Sequence, residues 1–310
     1  MGKIAFLCAG QGSQYPGMGK ELYEDSERVN EVFTKAEAMR PGTLSMMFEG
    51  NPEDLKKTDQ TQPSLFLADY AAVVALLEQG ICPDAVAGFS LGEIPGLVTA
   101  GILTEEEGFS LVCKRGELMQ AAATKVRGGM LAVLRMDPKE LEALCEEVGV
   151  YPVNYNCPGQ IVVSGEAEKI GEMKEKLTEL KVRFVELAVS GPFHTPYMLS
   201  ASEGLEVELK SGWYKVNAPK LPLYANMTAK CYPDNTSEIL SLVTGQVSHS
   251  VRWEDTLKNM AAEGFDTFIE CGPGVTLSGL VRKTLKDVKI YHVADRESLA
   301  SVVAELKEGN

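Results

Sequence analysis

Gly88-Phe89-Ser90-Leu91-Gly92-Glu93 has the spacing of a nucleophile elbow. A serine on a tight turn from strand to helix needs small neighbours, because the strand before it and the helix after it come close together. The N-terminus of the following helix also favours an anion beside that serine. Such short matches occur in ordinary turns as well, so the motif alone leaves Ser90 as either a nucleophile or a structural turn residue. A serine hydroxyl is a weak nucleophile at neutral pH and needs a base within hydrogen-bond reach. His194, His249 and His292 are the three histidines. His194 stands in Ser190-Gly191-Pro192-Phe193-His194-Thr195-Pro196, a turn-rich loop from which a side chain can project into a cleft. His249 lies in a polar loop and His292 in an apparent strand, where imidazoles are more often solvated or structural.

Gly10-Gln11-Gly12-Ser13-Gln14 follows an apolar strand and invites a nucleotide-binding reading. A P-loop ending at Gly19-Lys20 would need glycine at Gln14 and Ser or Thr at Glu21, and a dinucleotide fingerprint would need glycine at Tyr15. The remaining use for such a loop is to present backbone N–H groups to a developing negative charge.

The elements that must position these residues are legible in outline. Ile4 to Cys8 reads as a buried strand and Ser64 to Glu78 as a helix apolar on most faces. Ala85 to Phe89 reads as a second buried strand running into Ser90, and Leu91 to Ala100 as a helix that tolerates Pro95 near its start. Between about Met130 and Leu187 the pattern becomes a compact series. It reads strand Met130 to Arg135, helix Pro138 to Val148, strand Tyr151 to Asn156, strand Gln160 to Ser164, helix Glu166 to Leu180 and strand Arg183 to Leu187. That βαββαβ order is ferredoxin-like. Asp137 before Pro138 supplies a helix start, and Asn156-Cys157-Pro158-Gly159 a hairpin turn. The expected fold class is α/β: residues 1–126 and 190–310 form a large domain with a parallel-sheet core, and residues 127–189 an inserted ferredoxin-like subdomain.

With 310 residues and 45% hydrophobic content, the chain has ample material for a core and a smaller insertion. Lysine and arginine number 30 against 44 acidic residues, a net charge of −14 that argues against nonspecific binding to nucleic acid or anionic lipid. Ile4 to Ala9 is too short for a signal segment, and no stretch approaches membrane-spanning length. Seven cysteines, odd in number and scattered without a C-x-x-C pair, read as buried free thiols of a cytoplasmic protein. So few histidines, and no paired cysteines, make a metal site unexpected.

These residues resemble the malonyl-CoA:acyl carrier protein transacylases in order and spacing. The resemblance runs from about Lys3 to about Leu285. It is carried by Gln11-Gly12-Ser13-Gln14, Thr61-Gln62-Pro63, Gly88-Phe89-Ser90-Leu91-Gly92-Glu93, Arg115-Gly116, Asn156-Cys157-Pro158-Gly159-Gln160, His194 and Glu270-Cys271-Gly272-Pro273-Gly274. The family usually has Phe-Pro at Cys8-Ala9, His at Phe89, and Asn-Pro or Ser-Pro near His249-Ser250. The departures at Phe89 and at His249-Ser250 bear on pocket polarity and loop rigidity.

The resemblance implies an α/β-hydrolase-like large domain and a Ser90-His194 dyad, with the imidazole oriented by a backbone carbonyl at Gln246. It also implies an oxyanion hole from the N–H groups of Gln11 and Leu91. Taken alone, Arg115 reads as a solvated helix arginine; the resemblance makes its guanidinium the clamp for a malonyl carboxylate. Phe193 resembles the residue of malonyl-selecting members at the substrate pocket. The implied reaction carries malonyl from malonyl-CoA through malonyl-serine to the phosphopantetheine thiol of acyl carrier protein, supplying fatty-acid synthesis as a cytoplasmic monomer. Thioester is exchanged for thioester, so no cofactor and no metal are expected.

Three rivals stand beside that reading: a freestanding polyketide acyltransferase with the same chemistry, a serine hydrolase, and a catalytically silent binding subunit. Because carrier proteins are generally acidic, docking on a chain this acidic must be local. Lys174, Lys176, Lys181 and Arg183, or Arg282, Lys283 and Lys286, are the candidate basic patches.

Overall fold

A computed structural model of the chain describes residues 2–189 and 191–308. Ser190, at the head of the His194 loop, and the terminal limits 1 and 310 lie outside the described residues.

Five strands form one parallel sheet in the order β7-β2-β1-β8-β9: β1 (Lys3–Cys8), β2 (Ala85–Gly88), β7 (Leu223–Tyr224), β8 (Phe265–Cys271) and β9 (Lys289–Val293). Both faces are covered, as an all-parallel sheet requires. On β1, Phe6 and Cys8 join the core containing helix Thr58–Glu78, while Ala5 and Leu7 pack with Trp253 and Leu257 on the opposite side. The other four strands form a separate antiparallel sheet in the order β4-β5-β3-β6: β3 (Gly128–Leu134), β4 (Tyr151–Cys157), β5 (Gln160–Glu166) and β6 (Arg183–Glu186). With helices Pro138–Val148 and Ala167–Glu179 packed against it, this is the ferredoxin-like arrangement. Asp137 caps the first of these helices by accepting from Lys139 N and Glu140 N. The antiparallel sheet is tied to the rest of the chain where Val251, just before helix Trp253–Ala262, bridges to β4: Tyr155 N donates to Val251 O at 2.9 Å and Val251 N to Val153 O at 2.7 Å.

Helix Thr58–Glu78 starts six residues before the Ser64 expected from sequence and runs through Pro63. Proline cannot donate to the carbonyl four residues back and usually marks a helix boundary. Here that carbonyl, Asp59 O, accepts from Arg40 Nη2 at 3.2 Å instead, so the turn survives. The extra turns carry Gln62 into the site. The segment after Ser90 begins as a 3₁₀ turn, Ser90–Gly92, before helix Glu93–Thr99. Pro95 falls in that helix's first turn, where its missing N–H would have no intrahelical partner.

The cysteines are less uniformly buried than expected. Cys8, Cys145, Cys157 and Cys271 are buried, Cys113 is half-buried, and Cys82 and Cys231 are exposed; all seven are free thiols. Both exposed ones sit in loop or strand-end positions, where residue type does not reveal exposure. Among the described residues no helix is long and apolar enough to cross a membrane.

Candidate active site

Ser90 lies beyond the C-terminal end of β2 with φ 52°, in the left-handed region that costs a non-glycine residue energy. Both elbow glycines are sterically required. A Cβ on Gly88 would sit 1.9 Å from Gly92 C, and one on Gly92 2.2 Å from Cys8 O at the end of β1. His194 has a φ of 61°, so both members of the pair are held in strained backbone.

Ser90 Oγ is 2.8 Å from His194 Nε2. His194 Nδ1 faces two carbonyl oxygens, Gln246 O at 3.0 Å and His249 O at 3.2 Å. Carbonyls only accept, so Nδ1 carries the proton and Nε2 presents its lone pair to the serine hydroxyl. Burial, helped by the positive charge of Arg115, lowers the His194 pKa to about 4. The imidazole is therefore neutral, the form a general base requires, throughout the physiological range. Its role as a base is expected to hold from about pH 8 to about pH 5 and to be lost only as pH drops through the region near 4, below the usual histidine value of about 6.5. The NMR titration of the His194 imidazole checks this, and a midpoint near 6.5 would contradict it; a change in acylation rate near pH 7 belongs to Glu93.

Arg115 is buried in the middle of helix Glu105–Lys125, which Thr104 and Glu107 start with a reciprocal capping box. Its Nη1 donates to Gln62 Oε1 at 2.8 Å, and its Nη2 to Gln246 Oε1 at 2.7 Å and to Ser90 Oγ at 3.2 Å. Its Nε finds no hydrogen-bond partner among the described residues, leaving a buried donor unused. Burial lowers the Arg115 pKa to about 10, against the opposing pull of Glu93, so the side chain stays cationic at neutral pH.

Gln246 does more than lend its carbonyl. Its Nε2 donates to Ser90 O at 2.6 Å and to Glu93 Oε2 at 3.2 Å. Glu93 is fully buried and also accepts from Asn226 N at 2.9 Å and from the Tyr232 hydroxyl. Burial pushes its carboxyl up to about 7, opposed by those three donors and by Arg115. Sequence reasoning missed Glu93, Asn226, Tyr232 and Gln62 as parts of this network. Gln62 and Glu93 lay within the quoted motifs, but nothing in one sequence marks Asn226 or Tyr232 as neighbours of Ser90.

A cavity of about 80 Å³ is lined by Ser90, His194 and Arg115 together with Gln11, Gln62, Phe193 and others. Thus Phe193 and Gln11 lie at the same cavity as the Ser90-His194 pair. Leu91, the next residue after Ser90, is buried in the 3₁₀ turn. Gln11 also lines two larger cavities, one of about 270 Å³ reaching Asn154, Asn156 and Thr276 between the two sheets, and one of about 680 Å³ bordered by Lys56 and Lys57. Phe89 packs edge to face on buried Trp253 at 5.4 Å and walls the pocket with carbon. The His249-Ser250 loop lacks the family's proline and is fixed by hydrogen bonds. Ser250 Oγ donates to Pro152 O at 2.9 Å, and the His249 ring lies 2.7 Å from Gly245 O. His292 stands on edge strand β9, away from this cavity's lining.

A strained serine, a neutral imidazole with a fixed tautomer and a buried arginine facing the serine define an acyl-transfer site, and the chain belongs to the acyl transferase domain family, which it matches over residues 5–309. Within it, the chain is similar to the malonyl CoA-acyl carrier protein transacylase of Bacillus subtilis, at 39% identity covering 100% of this chain and 99% of that protein. It is also similar to the solved malonyl CoA-acyl carrier protein transacylase of Clostridium perfringens, with a TM-score of 0.93 at 38% identity, covering 99% of this chain and 98% of that one. A malonyl-transacylase solved in complex with its type II PKS acyl carrier protein superposes with a TM-score of 0.92 at 31% identity, covering 98% and 99%.

Proposed function

We propose that the chain transfers a malonyl group from malonyl-CoA to the phosphopantetheine thiol of acyl carrier protein, in fatty-acid synthesis in the cytoplasm. The observation that carries this reading is Arg115 Nη2 3.2 Å from Ser90 Oγ. A guanidinium at that place, with an unused Nε donor, can hold the free carboxylate of a malonyl thioester whose other carbonyl faces the serine. An acetyl group offers it nothing.

Ser90 Oγ attacks the thioester carbonyl while His194 Nε2 takes the hydroxyl proton. The N–H groups of Gln11 and Leu91 stabilise the oxyanion, a contribution of about 2.7 to 4 kcal/mol per donor in comparable sites. Collapse breaks the carbon–sulfur bond, and His194 returns the proton to the departing CoA thiolate. The carrier's thiol then attacks malonyl-Ser90 by the reverse sequence. Since a thioester is both consumed and produced, the balance requires no cofactor.

The Oδ1 atoms of Asn154 and Asn156 are buried without partners among the described residues, beside the cleft of about 270 Å³. They are acceptors suited to the amide N–H groups of a pantetheine arm. Of the two basic patches, the one on the insert is partly neutralised, Lys174 by Glu186 and Lys176 by Glu147. Arg282 and Lys283 stand on helix Thr276–Thr284, whose N-terminal residues Thr276 and Leu277 line that cleft. We therefore favour the C-terminal patch for carrier docking. A polyketide carrier would be served by the same chemistry, as the solved complex of a relative with its type II PKS carrier illustrates.

The test is intact-mass measurement after mixing the chain with a panel of acyl-CoAs. A malonyl adduct on Ser90, formed in preference to acetyl and discharged by holo carrier protein, is expected. No adduct would leave a silent binding subunit, and rapid release of free malonate without a carrier would make the chain a hydrolase.

A further inference from the structure

Ser90 holds its left-handed backbone directly after an extended strand, and something must fix the point at which the chain changes direction. Strand β2 is paired on one side with β1 and on the other with β7, but β7 spans only Leu223 and Tyr224. The parallel register pairs Val86 with Leu223 and Ala87 with Tyr224, and Val86 N donates to Pro222 O at 2.8 Å. Two residues further along, the next rung of this ladder falls to Asn226.

The backbone of Asn226 does not form that rung. Its N–H donates to Glu93 Oε2 at 2.9 Å, and its carbonyl accepts from Arg252 N at 2.9 Å. Its side chain takes the place instead: Ser90 N donates to Asn226 Oδ1 at 2.7 Å, and Asn226 Nδ2 donates to Gly88 O at 2.6 Å. A carboxamide carries the same paired donor and acceptor as a peptide group. It therefore extends the ladder past the end of β7 and stops at the amide of the serine itself.

We infer that Asn226 is a positioning residue that clips the nucleophile elbow, fixing Ser90 Oγ against His194 Nε2 by bonding both peptide groups that flank Phe89. The clip also occupies the Ser90 N–H, which reserves the oxyanion for donors on either side of it. Glu93 holds the clip in turn, and through Gln246 it holds the group that orients His194 and Arg115. One buried carboxylate thus references nucleophile, base and clamp to a common point.

The inference rests on Ser90 being the nucleophile. Asn226→Ala should lower kcat and the single-turnover rate of Ser90 acylation by about 10²-fold, the scale at which small misplacements of reacting groups act, with KM for malonyl-CoA changed less than about threefold. Asn226→Asp supplies a second reading and guards against a failure of the alanine variant to fold. An ionised carboxylate can still accept from Ser90 N but cannot donate to Gly88 O. Once protonated it can do both. Its acylation rate relative to wild type should therefore rise as pH falls from about 8 to about 5, a range into which burial and the neighbouring Glu93 carboxyl push an aspartate. The other titratable or charged groups facing this position are Glu93, Tyr232, Arg115 and His194. They are common to both proteins, so the ratio removes their own titration; what remains in it is the new carboxyl and its coupling to Glu93, which pushes the titration of the pair further up.

A purely structural role would lower the melting temperature and leave kcat of the folded fraction intact. Wild-type kcat in Asn226→Ala, a loss confined to KM, or an Asn226→Asp profile parallel to wild type would each overturn the clip. Ser90→Ala run alongside separates the two claims: if it still forms the acyl-enzyme the nucleophile reading fails, whereas a dead Ser90→Ala beside a normal Asn226→Ala removes the clip alone.

Discussion

Ser90→Ala is expected to abolish the malonyl-enzyme and to lower transfer to carrier protein by at least about 10⁴-fold, the scale seen when a nucleophile is removed from a preorganised acyl-transfer site. The ping-pong route has no alternative acceptor among the described residues, where no other side chain meets both the His194 lone pair and the Arg115 guanidinium. Binding should persist. Arg115 keeps its bonds to Gln62 and Gln246, and His194 keeps both carbonyls on Nδ1. The variant should therefore melt within a few degrees of wild type and still bind malonyl-CoA by calorimetry. A mass adduct surviving the substitution would place the nucleophile elsewhere.

Arg115→Ala has the second largest expected effect, and it acts on choice of cargo. Two charge-assisted hydrogen bonds to a carboxylate contribute on the order of 3 to 6 kcal/mol, so kcat/KM for malonyl-CoA should fall by about 10² to 10⁴-fold. Acetyl-CoA never used those bonds, so the malonyl-to-acetyl ratio should collapse even though absolute rates for both decline. Some decline is structural. The truncation leaves the buried oxygens of Gln62 and Gln246 without their donor, at about 1 to 3 kcal/mol each, and opens space in the core. The ratio of specificity constants isolates the clamp from that cost, and a ratio equal to wild type would remove the clamp from the mechanism. Arg115→Lys is informative beside it, because an ammonium keeps the charge and loses the planar fork.

Glu93 explains why these residues behave as one unit. A carboxylate buried this deeply is stable only with several donors, and it has Tyr232, Asn226 and Gln246. Asn226 and Gln246 in turn bond Ser90, and Gln246 also bonds His194 and Arg115. Substitutions within the network will not be additive.

Much of the molecule was legible in the sequence because the causes are local. Helix Pro138–Val148 falls where its Asp137 cap and Pro at the first position put it, and the βαββαβ alternation specified a small antiparallel sheet. The elbow glycines announced a tight turn, and the turn chemistry around His194 announced a loop from which a side chain can project into a cleft. Helix Thr58–Glu78 was read short because the partner that rescues Asp59 O, Arg40, is nineteen residues away. The exposure of Cys82 and Cys231 escaped for a similar reason, since burial is a property of neighbours.

The sequence by itself thus determined that a serine would stand on a tight turn after a buried strand, and which motifs accompany it. The tertiary structure decided what that serine can do. The His194 tautomer follows from two carbonyls more than fifty residues away, and the direction of Arg115 from two glutamines on separate elements. The elbow is locked by an asparagine that takes over where strand β7 ends. Residue type and spacing encode propensity within a few turns of chain. The charge state and aim of a buried group are set by whatever the fold brings within 3 Å of it, which no local pattern contains.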